Sequence, residues 1–274
     1  MHLEVDLSSP CGIKGLTPEM MKLFNKNEIS KEVIKDNPQV MIQIMTGLEK
    51  KEEIPDNALL TDSEFNDQIK KITFLPDNPN ELYRFAKQLG KGAMCTVYQA
   101  FNRKLPDECW AVRVMKVPEQ EILHKIKIEA AVMSMCANKN IVNYHASYYY
   151  MNCLFMLIEY MDGGALTDII YQNMKKIPER VAAYIMREIL LGLKMLHEHK
   201  QIHRDLKSDN ILVASDGSIK VADFGFAIQL TKEQKNRKSV VGTPAWMAPE
   251  LIKKEPYNEL VDVWSVGVIA VELA

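Results

Sequence analysis

Paired cysteine is missing from this 274-residue sequence. Its five cysteines, Cys11, Cys95, Cys109, Cys136 and Cys153, contain no C-x-x-C pair, and an odd count cannot form a complete disulfide framework. Free thiols in a reducing compartment are expected, and with them cytoplasmic residence. No apolar run approaches the ~18–20 residues that cross a bilayer, so no membrane span is expected. The opening residues, Met-His-Leu-Glu, lack the basic stretch and apolar run of a secretory leader, and none is expected. A dominant charge sign is lacking too. Basic side chains number 34 and acidic ones 36, a formal net charge of −2. That balance gives no chain-wide basic surface, and neither nucleic acid nor an anionic membrane is expected as the main partner. Internal repeats and low-complexity tracts are absent. What remains is ordinary globular composition, 47% hydrophobic and 26% charged, enough for one large core or two modest domains.

Three zones differ in pattern. In residues 1–50, Thr17-Pro18-Glu19 reads as a helix start: a capping hydroxyl, a proline in the first turn, and a carboxylate near the positive end. Met20, Met21, Leu23 and Phe24 follow. Asn37-Pro38 starts a second helix, with Val40, Met41, Ile44, Met45 and Leu48 on one face. Two or three short amphipathic helices are expected, too few to bury much core alone. Residues 51–82 mix charge with Pro55, Pro76 and Pro79 and read as a linker with one short helix. Residues 83–274 open with strand patterns at 83–89, 96–101 and 109–117. A helical pattern holding Glu129, Val132 and Met133 comes next, then strands at 141–150 and 154–160. From Pro178 one helical stripe carries Val181, Ile185, Ile189, Leu193 and Leu196. A small β-rich lobe followed by a helical lobe is the α+β architecture expected.

Four motifs stand in order in this third zone. Leu89-Gly90-Lys91-Gly92 precedes Val97 between two strands; glycines there let a backbone approach phosphates, although an ordinary hairpin turn reads the same way. His203-Arg204-Asp205-Leu206-Lys207-Ser208-Asp209-Asn210 follows, then Asp223-Phe224-Gly225, then Ala248-Pro249-Glu250. One such tripeptide is unremarkable. H-R-D-x-x-x-x-N, D-F-G and A-P-E in sequence are highly specific. On these motifs residues 83–274 resemble the catalytic domain of eukaryotic protein kinases. Ser208-Asp209-Asn210 and the segment from Val241-Gly242-Thr243-Pro244 to Glu250 resemble the PAK type of serine/threonine kinase in particular.

The resemblance implies a two-lobed kinase fold with ATP and Mg²⁺ in the cleft and a protein as the substrate. Asp205 is expected to accept the substrate hydroxyl's proton, and Lys207 to meet the transferring phosphoryl group. Asn210 and Asp223 offer the oxygen ligands that Mg²⁺ prefers. Leu89, Gly90, Gly92, Val97, Ala111, Arg113, Glu129, Glu159, Met161 and Asp223 are expected around the nucleotide. Ile158 sits at the back of the adenine pocket, and the 159–161 backbone forms the hinge. Lys207 and Thr243 favour serine and threonine over tyrosine. Glu250 and Asp262 are expected to be structural, Asp262 as a brace for the catalytic loop. Arg204 implies control by a phosphorylated residue of the following loop, at Ser239, which is otherwise a plain loop serine. Lys235, Arg237 and Lys238 read as a solvated basic run.

Three departures qualify the match. Trp110-Ala111-Val112-Arg113 stands where the family has a lysine that reaches phosphate and pairs with the helix glutamate, here Glu129. Arginine is longer, planar and forked, so a lower catalytic rate is expected. Lys116, three residues along a strand, points to the other face, and Cys95 closes the route in which a lysine comes from the third-glycine position. Secondly, the sequence stops within an apolar helix starting near Asp262, before the family's later helices. Exposed apolar surface, a buried unpaired Glu250 and an unstable large lobe are expected. Thirdly, Gly15-Leu16-Thr17-Pro18-Glu19 and Asn37-Pro38-Gln39-Val40 resemble the PAK autoinhibitory region, against the alternative of an unrelated helical hairpin. This implies a Rho-family GTPase as partner, with only the last part of its binding motif present, near residues 2–6. Residues 1–50 thus read as a partial GTPase-binding and autoinhibitory segment, and 83–274 as a kinase domain truncated at its end. The alternative to a working kinase is an impaired pseudokinase or interaction fragment, for which Arg113 and the missing helices speak.

Overall fold

The computed structural model describes residues 3–6, 9, 12–18, 20–22, 30–42, 59–92, 95–116, 120–172 and 177–274. The chain divides into two compact units, Met1–Pro55 and Asp56–Ala274.

In the first unit, β1 (Glu4–Val5) pairs antiparallel with β2 (Ile13–Lys14), a hairpin too short to show a period in the sequence. Thr17 caps the helical turn after it, its Oγ1 accepting from the Met20 amide at 3.3 Å. Helix α1 (Lys31–Asp36) is capped by Ser30, whose hydroxyl accepts from the Val33 amide. Residues 38–42 are helical, as the Asn37-Pro38 start implies. Ile13, Met20, Ile34 and Met41 form a small core, while Val40 is exposed. Leu23, Phe24, Ile44, Met45 and Leu48 lie outside the described residues.

The second unit begins earlier than the strand pattern implies. Over residues 59–82 the structure departs from the expected linker. Helix α2 (Asp62–Lys71) opens with a capping box, in which Thr61 Oγ1 accepts from the Glu64 amide and the Glu64 carboxylate accepts from the Thr61 amide at 2.7 Å. Its Phe65 and Ile69, with Ile72, join the main core. Leu75 then exchanges backbone hydrogen bonds with Ser147 and Tyr149, both 2.9 Å. Only these few apolar positions among many charges carry the packing, so the segment reads as linker from composition.

After the short α3 (Pro79–Leu82) come β3 (Tyr83–Lys91), β4 (Cys95–Asn102), β5 (Cys109–Lys116), α4 (Gln120–Met135), β6 (Tyr144–Tyr150) and β7 (Cys153–Glu159). The five strands form one antiparallel sheet in the order β3-β4-β5-β7-β6. Alternation sorts its side chains. On β7, Leu154 and Met156 join α4 in the main core, while Phe155 and Leu157 pack with Tyr83, Val112 and Tyr148 on the other face.

The larger lobe holds β8 (Gly164–Ala165), α5 (Leu166–Gln172), α6 (Glu179–Glu198), β9 (Gln201–Ile202), β10 (Ile211–Val213), β11 (Ile219–Val221), β12 (Ile228–Gln229), α7 (Pro249–Ile252) and α8 (Leu260–Leu273). Strands β11, β10 and β8 form a small sheet, and β12 pairs with β9. Helix α6 buries Ile185, Ile189, Leu193 and Leu196, but Val181, in its first turn, is exposed. Helix α8 packs on α6. Gly192 permits the close approach of α6 to the main chain, since a Cβ there would stand 2.7 Å from the Asn140 carbonyl oxygen. The result is the two-lobed α+β fold expected.

Candidate active site

A cleft of 560 Å³ lies between the five-stranded sheet and the small sheet of the larger lobe. Leu89, Gly90, Cys95, Val97, Ala111 and Arg113 line it from the sheet; Met161, Leu212, Ala222, Asn210 and Asp223 line it from below, and Ile158 and Glu159 lie at the join. The lining is apolar at Leu89, Val97, Ala111, Ile158, Met161 and Leu212 and polar at Arg113, Asn210 and Asp223. A Cβ on Gly90 would stand in open space, with no atom within 4 Å, so glycine keeps this rim thin. Gly92 is in the turn beyond, its amide donating to the Cys95 carbonyl at 2.8 Å. It does not line the cleft, and residues 93–94 lie outside the described residues.

Arg113 enters from β5, its Nη1 donating to the Glu129 carboxylate from α4. That carboxylate, with Asp223 behind it, holds the guanidinium firmly cationic. Burial pushes the Glu129 carboxyl up, and Arg113 opposes that rise. Lys116, by contrast, is exposed at the end of β5.

Asp262 organises the loop after β9. It is fully buried on α8 and accepts from the His203 amide, the Arg204 amide (both 2.8 Å) and His197 Nε2 (3.0 Å). These bonds hold Arg204 at φ 68°, a left-handed conformation that costs a non-glycine residue free energy. His203 Nε2 donates to the Ala222 carbonyl, and its ring meets Phe224 edge-on at 5.1 Å. Phe224 is thereby buried, and Asp223, at φ 60°, is placed in the cleft.

Asp205 stands next to the cleft, bonded to Asn210 of its lining. Thr243 Oγ1 donates to its carboxylate at 2.6 Å, Lys207 Nζ donates to Thr243 Oγ1 at 2.9 Å, and the ammonium stands 3.4 Å from Asp205 Oδ2. Gly242 makes this triangle possible. It has φ 116°, and a Cβ would fall 2.4 Å from the Arg204 carbonyl oxygen. Asn210 donates its amide to the Asp205 carbonyl (2.8 Å) and carboxylate (3.2 Å), which leaves its oxygen unengaged by these bonds.

That oxygen and the Asp223 carboxylate make a hard-oxygen pair suited to Mg²⁺. No group of three or more His, Cys, Asp and Glu that could cage a metal occurs among the described residues. Mg²⁺ typically takes one or two protein oxygens and completes its shell with phosphate and water, so the pair fits.

The structure thus gathers Leu89, Gly90, Val97, Ala111, Arg113, Glu159, Met161, Asn210 and Asp223 along the cleft, with Glu129 behind Arg113; Asp205 and Lys207 do not line it and join it through the bond from Asn210 to Asp205. Sequence reasoning overlooked Lys87, Asp162, Asp168 and Asp209 in the lining. It also overlooked a support beneath the loop, where Thr167 donates to Ser208 (2.7 Å), Ser208 to Glu272 (2.6 Å) and Trp246 Nε1 to the same carboxylate (2.9 Å). No local period links such distant residues. Glu250 is half-buried rather than buried, and no ion pair to it occurs among the described residues.

The protein kinase domain family matches residues 83–274. The chain is 36% identical over 287 residues to serine/threonine-protein kinase pakC of Dictyostelium discoideum, covering 100% of this chain and 58% of that protein. It is 37% identical over 262 residues to serine/threonine-protein kinase pak-1 of Caenorhabditis elegans, covering 90% of this chain and 45% of the relative. With serine/threonine-protein kinase PAK 1 of Mus musculus it shares 40% over 214 residues, 78% of this chain and 38% of the relative. The chain therefore spans about half the length of these curated relatives. It belongs to the protein kinase family, among relatives that are PAK serine/threonine kinases.

Proposed function

We propose that the chain transfers the γ-phosphoryl group of ATP, bound with Mg²⁺, to serine and threonine hydroxyls of a protein substrate. Asp205 carries this reading. Its carboxylate is fixed by Thr243 and Lys207 and bonded to Asn210 of the cleft lining, so a proton acceptor stands beside the cleft for an incoming hydroxyl. Lys207 brings a cation to the same point. Asn210 and Asp223 are the residues that would hold Mg²⁺, which when bound neutralises phosphate charge. Arg113, kept charged by Glu129, faces the phosphates, and the apolar walls from Leu89 to Met161 enclose adenine. Phosphoryl transfer asks mainly for such positioning and charge neutralisation.

Regulation follows from the loop. Arg204 Nη1 donates to Ser239 Oγ at 2.7 Å and to the Tyr257 hydroxyl at 3.0 Å. A phosphate on Ser239 would meet that guanidinium directly, a charge-assisted contact that orders the loop. The N-terminal segment is read as autoinhibitory, linked to a Rho-family GTPase, in the cytoplasm. No described helix is long and apolar enough to cross a membrane. The test is incubation with γ-labelled Mg-ATP and a basic acceptor protein, followed by phosphoamino-acid analysis. Phosphoserine and phosphothreonine are expected; label on tyrosine alone would overturn the assignment.

A further inference from the structure

Lys220 carries a charge that none of the family motifs requires. It lies in the middle of β11 and is only 7% exposed. An ammonium is buried at high cost unless it is paired and hydrogen-bonded. The partner is Glu159, the last residue of β7, whose two carboxylate oxygens lie 2.7 and 2.8 Å from Lys220 Nζ. Glu159 Oε2 also accepts from the Asn143 side-chain amide (3.0 Å) and backbone amide (3.2 Å). Asn143 returns the contact, its carbonyl accepting from the Glu159 amide at 2.9 Å.

These bonds join two parts of the cleft. At one end is residue 159, where the sheet passes into the hinge backbone. At the other is β11, which runs straight into Asp223. Its neighbours are tied down as well: the Val221 amide donates to the Asn140 carbonyl (2.8 Å), and the Ala222 amide donates to the Asn210 carbonyl (2.8 Å). The Lys220–Glu159 contact therefore sets how far the hinge stands from Asn210 and Asp223. A nucleotide spans that separation, with its base at the hinge and its phosphates beside Asn210 and Asp223, and both ends bind together only at one spacing.

We propose that Lys220 is a positioning residue for the nucleotide: by clamping the Glu159 carboxylate it holds the base-reading hinge in register with the phosphate and metal end of the cleft. The inference rests on the reading that this cleft binds Mg-ATP. It assigns Lys220 no contact with the nucleotide itself. Adenine and guanine triphosphates share their phosphate end and differ at the edge that faces the hinge. Loss of the clamp should therefore erode discrimination between them, which a general loss of stability would not.

The test measures binding of a fluorescent ATP analogue and the matching GTP analogue, each with Mg²⁺, to the whole 274-residue chain. Lys220→Met keeps the apolar stem and removes the charge. It should weaken ATP binding about tenfold and lower the ATP-over-GTP preference. Lys220→Arg should restore most of both. In the double variant with Glu159→Gln the losses should not add, as expected for two residues acting through one contact. Equal weakening of both nucleotides with a depressed unfolding midpoint would make Lys220 merely structural and overturn the inference. So would unchanged affinities in Lys220→Met when the native chain binds ATP. Failure of the native chain to bind adenine nucleotide would remove the nucleotide reading and this inference together. If Lys220→Met does not fold, Glu159→Gln decides by the same two affinities, a lowered preference supporting the clamp and an unchanged one refuting it.

Discussion

Replacing Asp262 by asparagine exchanges one carboxylate oxygen for an NH₂ group at the centre of the larger lobe, and the structure sets the size of the effect. The carboxylate receives three donors, two of them backbone amides, and it is fully buried. Asparagine keeps one acceptor oxygen and presents an NH₂ group in place of the other. At least one of the three donors then faces a donor. An orphaned buried N–H costs about 1–3 kcal/mol, and the remaining bonds lose their charge assistance. The strained backbone at Arg204 also loses the contact that keeps it at positive φ. A destabilisation of roughly 2–4 kcal/mol follows. For a unit of this size that lowers the unfolding midpoint by about 4–16 °C. Thermal unfolding by circular dichroism measures it, and amide hydrogen exchange locates it, with the Arg204 amide losing protection first. A midpoint within about 1 °C of native, with Arg204 still protected, would refute the view that Asp262 braces this loop.

Arg113→Lys should raise kcat/KM for ATP about tenfold or more, because a compact ammonium reaches phosphate without the forked geometry of arginine; equal activity in both chains would show that Arg113 serves as well. Gly242→Ala should abolish most transfer activity, since its Cβ would fall 2.4 Å from the Arg204 carbonyl at a backbone angle alanine rarely adopts. Gly267→Ala on α8, where nothing lies within 4 Å, should instead stabilise the chain by about 0.8–1 kcal/mol in urea unfolding. Cys136 is fully buried and its thiol is pushed up to about 12 by burial, so maleimide at neutral pH should spare it in the folded chain. Cys95, in the cleft lining, should react under the same conditions and be slowed by Mg-ATP, read by mass spectrometry of the labelled peptides.

The strand segments of the smaller lobe, the helical larger lobe and the family were legible in the sequence because each rests on local pattern. The apolar runs at 109–117 and 154–160 mark strands, and the stripe from Val181 to Leu196 marks one helix, although Val181 itself is exposed. The motif spacing brings Asp205, Asn210 and Asp223 to notice before any coordinates do. What stayed hidden depends on partners distant along the chain. The α2 segment carries its packing on Phe65 and Ile69 alone, so composition describes it as linker. Lys220 belongs to none of the motifs read from the sequence, and only the contact with Glu159 brings it to notice. Glu272 gives no sign in the sequence that Ser208 and Trp246 meet its carboxylate. Gly242 shows only as one glycine in a motif, whereas the carbonyl oxygen of Arg204 explains why no other residue fits.

Transfer of labelled γ-phosphate from Mg-ATP to a basic acceptor protein, compared between the native chain and Asp205→Asn, tests the kinase assignment most directly. Asparagine leaves the cleft, Asn210 and Asp223 in place and removes the proton acceptor. Label transfer by the native chain that falls to background in Asp205→Asn, with fluorescent ATP binding retained in both, is the expected result. No transfer by a folded native chain that binds Mg-ATP, or equal transfer by both chains, would contradict it.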